Sequence, residues 1–242
     1  MSRPIDFVEL WVYLSGEPLL WLSVTVCAYA AADRISAASG RNPFANPVVI
    51  AVAFIAAVLL ATGTAYRTYF EGAQFVHFLL GPATVALAVP LVRNLTAVAR
   101  MVVPMLLALL AGSVTAVVSA VGIAAMLGAP SPILAALAPK SVTTAIAMAI
   151  SSQLGGEPSL TAVVVIATGV LGAVIVTPFF DALRIHSREA RGFAAGLAAH
   201  GIGTARAFQV SETAGLFAGL AMALNAVITA LIVPVVLRLL GP

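Results

Sequence analysis

Charge is what this sequence has least of. Only 9% of its 242 residues are Asp, Glu, Lys or Arg, against about a quarter in an average soluble domain. A chain so poor in charge cannot cover a water-soluble surface, and with 62% hydrophobic residues it reads as a polytopic helical membrane protein. A single cysteine, Cys27, excludes an internal disulfide. The net charge of +3 is small and spread over loops, so nucleic acid is not expected as a partner. Acids are missing where a buried-carboxylate cation exchanger needs them. All nine lie at segment ends or in loops: Asp6, Glu9, Glu17, Asp33, Glu71, Glu157, Asp181, Glu189 and Glu212.

What is there is long apolar runs without alternation, which favours helices over a membrane barrel. They fall at about 17–33, 45–63, 76–92, 101–127, 132–152, 159–181, 192–207 and 213–238. Most approach the roughly 20 residues a helix needs to span; 76–92 and 192–207 are short. The connections leave no room for a hydrophilic domain, so residues 1–242 are expected to form one transmembrane domain. Residues 1–16 read as an interfacial lead-in, with Trp11, Tyr13 and Trp21 at headgroup depth.

Arginines supply orientation. Arg34 and Arg41 share one loop, Arg93 and Arg100 a second, and Arg184, Arg188 and Arg191 a third. All three are expected on the cytoplasmic side. Three full crossings between the second and third loops would violate that. The conflict vanishes if 132–152 is broken or re-entrant, which its Pro139, Lys140 and hydroxyls suggest. A repeat points the same way. GPATVALAV (81–89) resembles APKSVTTAI (138–146), and each has a proline 35 residues upstream, Pro47 and Pro104. The repeat-like segments are about 45–92 and 101–152. Proline-interrupted segments in corresponding halves are a pointer to a transporter binding site.

The chemistry of that segment follows from its residues. Proline suits the first position of a helix, so Pro139 is expected to open a half-helix whose free amides attract an anion. Lys140 adds a full charge, and Ser141, Thr143 and Thr144 add hydroxyl donors. Gly81 and Pro82 can begin a matching half-helix with Thr84 as its hydroxyl. GLAAHGIGTARAFQ (196–209) is a second short, glycine-rich piece carrying His200, Thr204 and Arg206, broken near Gly203. Asn46, before Pro47, is a cap or a site residue.

Each residue keeps a bland alternative. Lys140 can snorkel. The threonines can bond their own backbone. His200 can be a structural hydrogen-bonder, and Arg206 can be a topology charge. No activated nucleophile, metal-ligand cluster or buried acid suggests an enzyme, a metal or a cofactor.

APKSVTTAIAMAIS (138–151) resembles the signature PKSVTTPIAM, and AAHGIGTARAF (198–208) is similar to SHxxGTA followed by Lys or Arg. Both are signatures of the LrgB/CidB family, and the resemblance runs over roughly 30–240. It implies an antiholin-like membrane protein or murein hydrolase modulator, related to the C-terminal half of the plastidal glycolate/glycerate translocator. It implies small monocarboxylates such as pyruvate or glycolate as substrates, and a small LrgA/CidA-type membrane subunit as partner. It also implies the broken-helix fold of sodium/proton antiporters and bile acid symporters. The signatures fall on Pro139 to Thr144 and on His200, Gly203, Thr204, Ala205 and Arg206. Ala145 and Ala199 replace the family's second proline and its serine. The expectation is a secondary transporter of small monocarboxylates that pairs as a homodimer through scaffold helices, with lysis control through murein hydrolase activity as the alternative.

Overall fold

A computed structural model describes residues 17–79, 82, 85, 92 and 95–240. The described residues form helices joined by turns, and the chain divides into two compact units, residues 1–89 and 90–242.

The first unit contains α1 (Pro18–Ala38), α2 (Pro47–Thr62) and α3 (Tyr66–Phe78). Proline opens α1 and α2, where its missing N–H costs nothing. Asn46 is the cap of α2: its side chain accepts from Val48 N at 2.9 Å. Gly63 ends α2 in the left-handed region, φ 64°. Ala28 and Ala32 pack against Ala51 and Ile55. Trp21 is fully enclosed by protein and meets Tyr69 edge-on at 5.8 Å. Gly72 makes that possible, because a Cβ there would stand 2.1 Å from Pro18 O. Trp11, Tyr13 and the lead-in lie outside the described residues.

The second unit contains α4 (Leu95–Arg100), α5 (Val102–Met126), α6 (Ser131–Leu137), α7 (Thr144–Gln153), α8 (Pro158–Ala182), α9 (Arg188–Val210) and α10 (Glu212–Leu240). Helices α5, α8 and α10 are long and apolar enough to cross a membrane. At about 1.5 Å per residue, 25 residues reach about 38 Å, against a hydrocarbon core of about 30 Å. Their outward faces expose Leu107, Val163, Leu171 and Leu231, a surface suited to lipid rather than water. This is a membrane protein.

Helices α5 and α10 run parallel. Met105 and Leu109 pack with Leu216 and Phe217 near their starts, and Val117 and Val121 pack with Val233 and Val236 near their ends. Helix α8 runs against them. Thr161, near its start, bonds Ser151 of α7, and Asp181, at its end, pairs with Arg191 of α9. Arg184, Arg188 and Arg191 therefore gather at the end where α5 and α10 begin, beside Arg100. That end is called the arginine end below.

Helices α6 and α7 are separated by an interruption at 138–143 and fold back on each other. Gly156, beyond α7, touches α6: a Cβ there would sit 2.9 Å from Ala136 N. Both limbs thus start and finish at the end opposite the arginines. Helix α9 folds back as well, but from the arginine end. Its backbone leaves helical geometry at Ala199 and at His200, where φ is 41° and ψ is −133°. Gly203 lies so close to Ala195 that a Cβ would be 2.4 Å from its carbonyl oxygen. Eight residues of unbroken helix would separate them by about 12 Å.

Two expected breaks are corrected. Gly203 is helical, and the turn falls three residues earlier. Its missing side chain serves the close approach of the two limbs. Pro139 lies inside the first interruption but does not open a helix. The backbone closes turns from Lys140 N to Leu137 O and from Val142 N to Pro139 O, both 3.2 Å, and α7 restarts only at Thr144. Pro82 is helical and exposed, and Thr84 lies outside the described residues.

Candidate functional site

The two interruptions meet at one amide. A broken helix strands the carbonyls of its last turn, and burial makes such orphans costly. Asn225, midway along α10 and fully buried, answers one from each break. Its Nδ2 donates to Ser141 O at 3.3 Å and to Leu197 O at 3.0 Å. Its Oδ1 accepts from Ser113 Oγ at 2.6 Å and from Thr229 Oγ1 at 3.1 Å. Two donors and two lone pairs are all that a side-chain amide has. Helices α5 and α10 thereby hold both turns in place.

His200 occupies the tip of α9. Its Nε2 lies 2.9 Å from Val165 O; a carbonyl only accepts, so Nε2 carries the hydrogen there. Gly169 leaves room for the ring, since a Cβ would come within 2.6 Å of Cε1. Thr204 Oγ1 donates to His200 O at 2.8 Å, a bond back to its own backbone. At this tip both side chains brace the turn.

The tip between α6 and α7 is differently furnished. Ser141 and Val142 are buried, and Val142 packs on Val165, whose carbonyl meets His200. Thr143 is the cap residue of α7 by backbone geometry and makes no side-chain capping bond. The amides of the first turn of α7 therefore lack a side-chain acceptor. Lys140, Thr143 and Thr144 are half-buried. The ion pairs among the described residues are Arg41 with Asp33 and Arg191 with Asp181, so no carboxylate there answers Lys140. Cation, hydroxyls and helix N-terminus together supply positive potential and hydrogen-bond donors, the chemistry of an anion site.

The structure thus groups Lys140, Ser141, Thr143 and Thr144 on one tip and His200 and Thr204 on the other, joined through Asn225. Arg206 does not join them. It is buried in the returning limb of α9 and lines a cavity at the arginine end with Asp181, Arg188 and Arg191. Asn46 belongs to the first unit, as a cap. Asn225, with Ser113 and Thr229, escaped the sequence analysis. Its signal is a lone amide at the centre of a long apolar helix, with a hydroxyl four residues on.

Fold and site define a helical membrane protein whose second unit brings two interrupted helical segments, entering from opposite ends, to a common midpoint. Residues 25–239 match the model of the LrgB-like family, and the chain belongs to it. It is 35% identical over 216 residues to the uncharacterized protein YwbG of Bacillus subtilis, covering 89% of this chain and 96% of the relative. It is 34% identical over 221 residues to YxaC of the same organism, covering 91% and 96%. With the holin-like protein CidB of Staphylococcus aureus it shares 30% identity over 223 residues, 92% of this chain and 97% of the relative. No solved structure matches the chain.

Proposed function

We propose that this chain is a multi-pass protein of a bacterial inner membrane that acts in the control of cell lysis and murein hydrolase activity. The holin-like name of its CidB relatives, matched over nearly their whole length, carries this reading. It supports lysis control better than it supports any particular transported molecule. A small LrgA/CidA-type membrane subunit is the partner that this reading calls for. Its test is deletion in the host, scoring autolysis and murein hydrolase activity, with the partner present and absent. Unchanged autolysis in both backgrounds contradicts it.

One observation favours a second, molecular reading. The half-buried Lys140, unanswered by a carboxylate, sits before a helix N-terminus at the meeting point of two folded-back segments. A large lesion needs no such arrangement. An alternating-access transporter of small monocarboxylates does: the ammonium and the first-turn amides neutralise the carboxylate, and Thr143 and Thr144 bond its oxygens. In this reading α6–α7 and α9 are re-entrant, the fold is akin to that of sodium/proton antiporters, and the protein pairs as a homodimer. Saturable uptake of labelled pyruvate or glycolate into proteoliposomes supports it. Dye leakage without saturation supports a pore instead.

A further inference from the structure

The arginine end carries a second cationic locus that neither tip uses. The end of α8 and the open ends of the α9 hairpin enclose a cavity of about 180 Å³. At about 30 Å³ per water, this is room for about six waters, or for a phosphate or a three-carbon acid. Among the described residues, Arg188, Arg191, Arg206 and His186 line it, with Thr177 and the acid Asp181. Among the described lining residues, three guanidinium groups stand with one carboxylate.

Two of these groups, Arg191 and Arg206, are held in place. Arg191 donates from one nitrogen to Asp181 Oδ1 and from Nε to Ile185 O, each at 2.5 Å, so its plane is fixed. Arg206 comes from the opposite limb, is only 4% exposed, and reaches Gln209 Oε1 at 3.3 Å. Glu189, the nearest further acid in sequence, turns to the Ser187 hydroxyl at 2.7 Å and does not line the cavity. Guanidinium groups fixed on two limbs of one hairpin match the planar, multidentate recognition of oxyanions.

We propose that this cavity binds a small oxyanion, a phosphate or carboxylate group. The group belongs either to a free solute or to the headgroup of an anionic lipid, and the site stands apart from the anion site proposed at Lys140. The inference holds whether the protein governs lysis or transports a solute.

The full chain in neutral detergent, titrated calorimetrically with inorganic phosphate and with pyruvate, tests it. Arg206→Gln is expected to weaken binding about tenfold and Arg188→Gln about threefold. Arg238→Gln, at the opposite end, is expected to leave it unchanged. Arg188 is exposed, so its variant keeps the test valid if Arg206→Gln fails to fold. Repeating the titration in nanodiscs of phosphatidylglycerol and of phosphatidylcholine separates the sources. Loss of phosphate binding only in phosphatidylglycerol assigns the site to a headgroup; equal binding in both assigns it to a free anion. The proposal is overturned if neither phosphate nor pyruvate binds in neutral detergent and phosphatidylglycerol binding is the same in Arg188→Gln and Arg238→Gln. It is overturned equally if binding occurs but Arg188→Gln and Arg238→Gln behave alike. Those results leave the uptake and autolysis assays untouched.

Discussion

The two folded-back segments solve one problem in opposite ways. Hairpin α9 is built from close backbone contacts. Gly192 and Gly196 lie against Ala214 and Ala218 of α10, where a Cβ would come within 2.1 and 1.9 Å of carbonyl oxygens. Its turn is a strained His200 locked by Val165. Hairpin α6–α7 has a six-residue turn, a lysine and hydroxyls that the protein does not fully use. One segment is fixed, the other keeps donors available. A site that must hold a guest needs both: a rigid wall, and a face whose polar groups are not consumed by the fold.

The largest effect that would separate them is steric. Gly196→Leu should abolish the folded protein, a loss above about 4 kcal/mol, because backbone rather than a flexible side chain blocks the new Cβ. Gly122→Ala, in α5 with nothing within 4 Å of its Cβ position, should leave the melting temperature unchanged or raise it slightly. Fluorescence-detected size exclusion after heating reads both. If Gly196→Leu melts like the wild type, the close packing of α9 on α10 is wrong.

Next comes the amide that joins the hairpins. Asn225→Leu strands the Ser141 and Leu197 carbonyls, at about 1–3 kcal/mol for a buried unsatisfied group. A fall in stability of about 2–4 kcal/mol is expected, with activity lost even at temperatures where the variant is folded. Lys140→Ala should differ in kind. The lysine side chain makes no hydrogen bond or ion pair among the described residues, so stability should change by less than about 1 kcal/mol, while saturable uptake disappears. Unchanged uptake would leave the lysine a bystander and favour the lysis reading alone.

His200 offers a finer comparison. A non-glycine residue at this positive φ stores about 1–3 kcal/mol, and its hydrogen bond to Val165 returns about 0.5–1.5 kcal/mol. His200→Gly should therefore be more stable than His200→Ala by about 1 kcal/mol or more. Equal stability would mean that the turn lies elsewhere. The smallest effect belongs to the first unit, where hydrogen bonding from Arg41 holds the Asp33 carboxyl below its ordinary range. A lowered carboxyl stabilises the fold above its unfolded-state pKa, about 4. That contribution fades as pH falls through the lowered folded-state value. Asp33→Asn should flatten only this acid limb, and slightly, since the pair is exposed.

Much of this organisation could be read from residue order. Apolar runs with few charges mark α5, α8 and α10, and a proline and lysine inside 132–152 mark an interruption. The fold-back of α6–α7 leaves Arg100 and Arg184 at one end of the second unit. What could not be read depends on distance in space. The turn at His200 rather than Gly203 is set by Val165 and Gly169 on another helix. The enclosure of Trp21 rests on Gly72, fifty-one residues on. Arg206 sits six residues after His200 but faces the other way, because the limb carrying it runs back to the arginine end. Asn225 was visible as a lone amide, yet three of its four partners lie 28, 84 and 112 residues away.

That two hairpins enter from opposite ends is the claim on which the site depends, and cysteine accessibility tests it most directly. With Cys27→Ser as background, Ser131→Cys, Gln153→Cys, Arg188→Cys and Glu212→Cys would be labelled singly in sealed vesicles of each orientation by a membrane-impermeant maleimide. Positions 131 and 153 are predicted to react from one side and positions 188 and 212 from the other. Labelling of 131 and 153 from different sides would make α6–α7 a crossing segment and contradict the account.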